Sequence, residues 1–331
     1  MISPHPLTAG RPARRLPTIA TRCAVALLAC GLTAGCGGGS SSPSSAPASS
    51  GSPSAASTPA AASPPAASTT ASPGPTGSAS EPAAGKFSTP LDVSNPLFPL
   101  VAGTQFVYDG KIVDSDGSHE HGVIFTVTDL VKHVDGIDTV VALDQDFLEG
   151  TLEEQELAFF AQDDKGNVWN FGEYPEEYDN GKLTGAPDTW IRGTDGAYGG
   201  IHVLDTPRPG VQWREGLVQA IAFDDVSKVA SVGQRTCVRA GCYGSVVVVD
   251  ETSPNDPTSG MQIKYYASGT GLVRVGARGG DSQELLQLTA VRHLDAAGLT
   301  KFRAEALAMD SRAYKIAKVY RVTGPARRRA T

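Results

Sequence analysis

A ladder of turn dipeptides constrains this chain more than any other feature. Asp135-Gly136, Glu149-Gly150, Lys165-Gly166 and Asn180-Gly181 follow one another at intervals of 14, 16 and 15 residues. Asn-Gly and Asp-Gly supply the positive φ angles that two-residue hairpin turns demand. The segments between them, 123–134, 137–143, 157–162 and 168–171, are rich in β-forming residues. Val123, Phe125 and Val127 alternate with Ile124, Thr126 and Thr128, the period of two that a strand needs. More strands are expected at 104–108, 216–223, 245–250, 261–266, 272–275 and 283–293, with turns at Pro207-Arg208-Pro209-Gly210 and Gly279-Gly280. No helix is expected among them. The pattern predicts an all-β domain over 87–295, an antiparallel meander forming a curved sheet, a barrel or a sandwich.

What precedes this domain cannot fold in the same way. From 37 to 80 every residue is Gly, Ser, Ala, Pro or Thr, and none is charged. Such a segment buries too little apolar surface to offset chain entropy, so 36–86 is expected to be a disordered linker or stalk. Ahead of it, Arg11, Arg14, Arg15 and Arg22 stand before an apolar run at 23–32. A basic region, a short apolar region and small residues before a cleavage point predict a secretory signal peptide over 1–35. The run is about half of the ~20 residues needed to span a bilayer. Arg14-Arg15 is read as part of an ordinary basic region, because the rest of a twin-arginine motif is absent.

Leu32-Thr33-Ala34-Gly35-Cys36 resembles the lipobox of bacterial lipoproteins, with Thr33 at the position that family usually gives to Leu. The resemblance implies lipidation of Cys36 and a membrane anchor on the extracytoplasmic side, at the cell surface or in the periplasm. Once the leader is removed and Cys36 acylated, Cys237 and Cys242 are the cysteines left. Export favours a disulfide between them. Four intervening residues are the wrong spacing for a redox Cys-x-x-Cys, and two thiolates alone make a poor zinc site.

The C-terminal segment 296–331 changes character. Phe302, Ala306, Met309, Ala313, Ile316 and Tyr320 recur at spacings of three and four, one apolar face of an amphipathic helix. Lys301, Arg303, Arg312, Lys315, Lys318 and Arg321 decorate the rest, and Arg327-Arg328-Arg329 follows. The formal net charge of the whole chain is −7. Since leader and tail are both basic, the β body is strongly acidic, which argues against a nucleic-acid partner. Docking of the helix on this acidic body competes with docking on anionic lipid or on a partner.

Three stretches are similar to a family of bacterial secreted and lipoprotein β domains of unknown function. They are Asn95-Pro96-Leu97-Phe98-Pro99-Leu100 with Gly103-Thr104 and Tyr108; Ala161-Gln162-Asp163 with Gly166-Asn167-Val168-Trp169 and Phe171-Gly172-Glu173; and Tyr265-Tyr266-Ala267 with Gly269 and Gly271-Leu272-Val273. The resemblance covers roughly 95–290 and implies a fold; it brings no catalytic residues and no cofactor.

The chain lacks a Gly-x-Ser-x-Gly elbow, a His-Glu-x-x-His, a phosphate loop and a Rossmann fingerprint. His119 and His121, two apart on a strand, share a face and are the candidate metal ligands, although their polar surroundings read as an exposed hairpin tip. The segment 163–167 reads as a turn rather than a calcium loop. Asp144, Asp146, Glu149, Glu153, Glu154 and Glu156 read as a solvated, aggregation-resistant edge, or else as paired carboxylates for glycoside chemistry. Trp169, Phe171, Tyr174, Trp190 and Trp213 are candidates for an apolar or sugar-binding concavity, with core packing as the bland alternative. The expectation is a membrane-tethered, non-enzymatic module that binds a ligand or partner. A lipid or glycolipid carrier and an envelope hydrolase stand as alternatives.

Overall fold

The computed structural model describes residues 85–330. The leader, Cys36 and the linker up to residue 84 lie outside the described residues. The long strands β1 (Thr104–Asp114), β2 (Gly117–Val134), β3 (Ile137–Leu148), β4 (Thr151–Gln162) and β5 (Val168–Asp179) come first. Short strands β6 (Lys182–Gly185), β7 (Trp190–Ile191), β8 (Tyr198–Gly199) and β9 (Ile201–Val203) follow. Then come β10 (Gln212–Val218), β11 (Phe223–Val238), β12 (Gly241–Thr252), β13 (Met261–Ala267), β14 (Gly271–Arg278) and β15 (Gln283–His293). Helix α1 (Ala296–Ile316) and a terminal strand β16 (Arg327–Arg328) complete the chain.

All strands join one antiparallel sheet, a meander in sequence order apart from its ends. Asp135, Glu149 and Asn180 stand at φ 47°, 49° and 51°, each followed by a glycine at 79°, 75° or 74°. Those paired positive angles make the tight β2–β3, β3–β4 and β5–β6 hairpins. The Lys165-Gly166 site differs, because only its glycine is left-handed. There Asp163 organises the loop by accepting from the Lys165 and Asn167 backbone N–H groups and from Trp169 Nε1. The β11–β12 hairpin is stapled near its tip by the Cys237–Cys242 disulfide.

The sheet curves until its ends meet. β15 pairs with β1, joining the last long strand to the first. On the opposite side, the segment 198–203 is shared by two strands. It pairs with β10 through Tyr198 and Gly199, and with β5 through Ile201 and Val203. Gly200 completes the seam, accepting from Asn170 N–H and donating to Glu215 O. A Cβ on Gly199 would stand 2.2 Å from Asn170 O, and one on Gly200 2.3 Å from Arg214 O. Only glycine lets three backbones approach this closely.

Closure gives the sheet an inside and an outside. Cross-strand partners share a face, so the register assigns inward positions: Tyr108 opposite Val123, Asp144 opposite Glu156, Val249 opposite Lys264. The outward face of β2–β5 is covered by the C-terminal segment, as an amphipathic helix requires. Ala306, Met309 and Ala313 are buried, and Tyr320 packs 5.3 Å from the Tyr174 ring and 6.1 Å from the Phe159 ring. Ile316, expected on the same face, is instead 40% exposed, because the helix ends there and the chain turns extended at Ala317.

The basic residues of this segment find the acids of the body. Arg303 forks onto Asp129, Arg312 onto Glu176, and Arg327, Arg328 and Arg329 reach Asp138, Asp129 and Asp92. β16 adds itself to β2. Among the described residues no helix is long and apolar enough to cross a membrane.

Candidate functional site

The inward face is apolar at one end and acidic in the middle. At the apolar end, residues 95–100 fold across the opening. Asn95 N–H donates to Gln162 Oε1, Asn95 Nδ2 to Gly166 O, and Gly269 N–H to Pro96 O. This ties the segment to both the β4–β5 loop and the β13–β14 turn. Phe98 points in, with its ring 4.7 Å from His202, 5.2 Å from Phe160 and 5.8 Å from Phe125. Beneath it lies a cavity of about 60 Å³. Phe106, Phe125, Phe160 and Tyr266 form its walls, while Asp144, Glu156, His202 and Lys264 supply its polar lining.

Asp144, Asp146, Glu154 and Glu156 are all at most 9% exposed. The reading of this stretch as a solvated edge is therefore overturned for these four. They occupy alternate, inward positions on β3 and β4, and only Glu149 and Glu153 stay at the outer end. Asp225, Glu215, Glu251 and Glu284 join them from β11, β10, β12 and β15. Burial raises every one of these carboxyls that shifts. Asp144 is pushed up to about 6, and Glu251 and Glu284 to about 7. Asp146, Glu156 and Asp225 stand well above the carboxylate range, with neighbouring carboxylates adding to burial.

Basic groups are few on this face. Lys264 Nζ lies 2.6 Å from Glu251 Oε2 and is held well above the lysine range despite its burial, chiefly by that neighbour. The ion pair stands, and burial raises Glu215 and Asp225 beside it. His202 is driven down to about 3 by burial and shares a proton with Glu215 at 3.1 Å. Burial also lowers His121.

The expected exposed hairpin tip at His119–His121 needs correction. The β1–β2 hairpin turns earlier, and His121 is 3% exposed. Its Nε2 faces Asp146 Oδ1 and its Nδ1 faces Glu284 Oε1, each at 3.5 Å. None of these four atoms makes a hydrogen bond. His119 sits nearer the rim, 3.6 Å from Asp114 and 3.8 Å from Glu149. The two imidazoles share a strand face but address different carboxylates. Among the described residues no group of three or more His, Cys, Asp or Glu is placed to hold a metal ion.

The aromatic candidates are also relocated. Trp169, Phe171, Tyr174, Trp190 and Trp213 are at most 4% exposed and serve packing. Phe87 wedges against Trp169 and Phe171, Trp190 Nε1 donates to Glu173, and Trp213 Nε1 donates to Ile201 O. The cavity aromatics come from other strands. The sequence carried a signal for the polar lining that went unused. Glu251 continues the inward parity of Val247 and Val249, Glu284 that of Leu286 and Leu288, and Lys264 that of Tyr266. Charged residues on the buried parity of a strand are costly, which marks them as sites.

No family model matches the chain, and no curated protein matches it. Solved structures align with it, among them one from Bacteroides and one from Parabacteroides. One, from Bacteroides fragilis, is described as an exported protein with a YmcC-like fold. It gives a TM-score of 0.36 at 14% identity, covering 59% of this chain and 98% of its own. The other, from Parabacteroides distasonis, is described as a lipoprotein. It gives 0.35 at 13% identity, covering 60% of this chain and 99% of its own.

Proposed function

We propose that this chain is an exported lipoprotein, anchored through Cys36, whose closed sheet binds a small ligand in its lumen without turning it over. The cavity between Phe98 and the Asp144–Glu156 pair carries the reading: an aromatic wall meets convergent polar groups in one enclosed space, the composition expected of a ligand site. The leader and lipobox-like residues support the address, and the uncharged stalk supports presentation of the domain away from the membrane. A lipid or glycolipid carrier is the second reading, favoured by a larger pocket of about 840 Å³ lined by Gly110, His121, Phe147, Val275, Leu285 and Leu286.

Mass spectrometry of the detergent-solubilised full chain, purified from an envelope-containing host, tests both halves. The denatured mass is expected to show cleavage before Cys36 plus a diacylglyceryl group. The native mass is expected to exceed it by a small noncovalent ligand, and Ala158→Phe or Ala158→Leu, which fill the cavity, are expected to lose that increment. A native mass equal to the denatured one in the unmutated protein would remove the binding reading. An unmodified Cys36 would remove the anchor.

A further inference from the structure

The pocket behind the carrier reading, about 840 Å³, has a lining that specifies one class of lipid, an inference that rests on that reading. Register places it on the sheet. Phe147, Gly122, Asp109, Gln287 and Arg274 stand side by side across β3, β2, β1, β15 and β14. Asp109 and Gly122 are each one residue along from Tyr108 and Val123, which face in, so this row faces out. In the next outward row Lys111 stands between Glu120 and Leu285. No residue of the C-terminal segment lines this pocket.

The stapled hairpin turns this face into a trough. The tip of β11–β12 reaches β15, where Ala240 N–H donates to Leu288 O, and Arg239 reaches Asp109 at 3.0 Å. Cys237, Val238 and Arg239 thereby form one side of the pocket. Gly122 leaves the floor open, since a Cβ there would meet only Tyr108 O, at 3.6 Å. Val238, Phe147 and Leu285 give the trough an apolar stretch long enough for a hydrocarbon chain. A cavity of about 150 Å³ holds benzene, so about 840 Å³ admits on the order of thirty heavy atoms, one acyl chain with its head and not a two-chain lipid.

Charge decides the head. Lys111, Arg239 and Arg274 line the pocket against Asp109 and Glu120. Asp109 is taken by Arg239, in a pair whose side chains are 66% and 52% exposed and which solvent screens. Arg274 lies over the Tyr265 ring at 5.2 Å. Among the described residues neither Arg274 nor Lys111 has a carboxylate in ion-pair reach. Two uncommitted cations therefore meet one uncommitted carboxylate, Glu120, and Arg239 can leave its exposed partner at little cost. An anionic head gains from that balance, and a cationic head does not. β1 and β14 flank β15 and so stand roughly 10 Å apart, which long basic side chains from both strands can bridge. A phosphate has oxygens enough to accept from both. We propose that the trough under the β11–β12 hairpin seats a single-chain amphiphile with a phosphate head, the head between Lys111 and Arg274 and the chain along Leu285, Val238 and Phe147.

Three probes of equal chain length test this below their micelle-forming concentrations: octyl phosphate, octyl glucoside and octylammonium chloride. They are titrated calorimetrically at pH 7.5 and constant ionic strength into the full chain carrying Cys36→Ser, which takes no anchor and needs no detergent. Octyl phosphate is expected to bind at least about tenfold more tightly than octyl glucoside, and octylammonium no more tightly than the glucoside. Lys111→Gln/Arg274→Gln is expected to erase that preference and leave glucoside binding in place. Gly122→Val, which fills the floor of the trough, is expected to weaken all binding. Circular dichroism checks that the variants are folded; should Gly122→Val not fold, the double variant, changed only at exposed side chains, decides alone. Glucoside or octylammonium binding as tightly as the phosphate, or a double variant that keeps the preference, would overturn the inference. Binding that a folded Gly122→Val leaves untouched would overturn the site. If the three heads bind equally and Gly122→Val abolishes them all, the phosphate assignment fails and the carrier reading survives. Binding of none of the three removes both.

Discussion

Two places in this protein bury charge, and they do it in opposite ways. Outside the sheet, under α1, Lys132 is fully enclosed yet donates to Asp310 Oδ1 at 2.6 Å, Tyr314 OH at 3.1 Å and Gly324 O at 2.9 Å. Its ammonium stands 4.0 Å from the Tyr320 ring. Glu176, equally buried, accepts from Tyr174, Tyr178 and both arms of Arg312. Inside the sheet, carboxyls crowd one another, one lysine serves several of them, and His121 meets two carboxylates at 3.5 Å without a hydrogen bond. A buried charge that is matched group for group specifies how two layers dock. A buried layer that is not matched is poorly suited to holding the fold, and its composition makes sense only with a proton or a ligand in place.

The largest effect that separates the two regions is expected from breaking the matched one. Lys132→Met leaves Asp310 without its counter-charge in a dry interface, with only Tyr320 OH and the Ala326 N–H still donating to it, and a loss of about 3–5 kcal/mol is expected in urea unfolding. Asp144→Asn in the lumen removes one of several like charges, and a change within about 1 kcal/mol, of either sign, is expected. Equal losses at both sites would show that the lumen is a structural network like the outer one, and the distinction would collapse.

Acidity sharpens the same comparison. The lumen carboxyls have folded-state values raised above their ordinary ones, so the native protein holds protons that the unfolded chain releases. Their contribution is fully present below about pH 4 and is lost as pH rises through the folded values, about 6 for Asp144 and about 7 for Glu251 and Glu284. His121 and His202 act the other way. Both are lowered, so their neutral burial favours the fold above about pH 6.5 and costs stability as pH falls. The carboxyls outnumber them. The melting temperature is therefore expected to be higher at pH 5 than at pH 8, by on the order of 5 °C, and Asp144→Asn/Glu156→Gln should shrink that difference. Calorimetry showing a flat or rising profile between those values would mean that the lumen charges are already compensated.

Much of the outer region was legible in the sequence, and little of the inner one. The hairpins at Asp135-Gly136, Glu149-Gly150 and Asn180-Gly181 are written in residues that tolerate positive φ, a local property. The face of α1 is written in a spacing of three and four, also local. Arg303, Arg312 and the terminal arginines stood out as a basic segment beside an acidic body. The lumen is different in kind. Asp144 and Glu156 share a cavity with Lys264 and His202 only because the sheet closes at Gly199-Gly200, and closure depends on a pairing across the whole domain. Without it, an acidic residue in a strand reads as solvent-facing, and that is how Asp144, Asp146, Glu154 and Glu156 were misplaced. Trp169, Trp190 and Trp213 drew attention for their size, whereas size filled the core and the cavity fell to phenylalanines from distant strands.

The smallest expected effect lies at the outermost layer of the matched region. Arg328 is 63% exposed in its side chain and reaches Asp129 at 3.0 Å, while Arg303 already forks onto the same carboxylate at 2.6 and 2.7 Å from a more sheltered position. An exposed ion pair is worth about 0–1 kcal/mol, because solvent screens it and two long side chains must be held still. The strand bonds of β16 to β2 come from the backbone and do not need the guanidinium. Arg328→Ala is thus expected to cost less than about 1 kcal/mol, and Arg303→Ala more, since it leaves Asp129 half-satisfied. If Arg328→Ala proved the costlier, the terminal strand would be a principal fastening of the C-terminal segment. The matched region would then be held by its tail and not by the charges buried beneath α1.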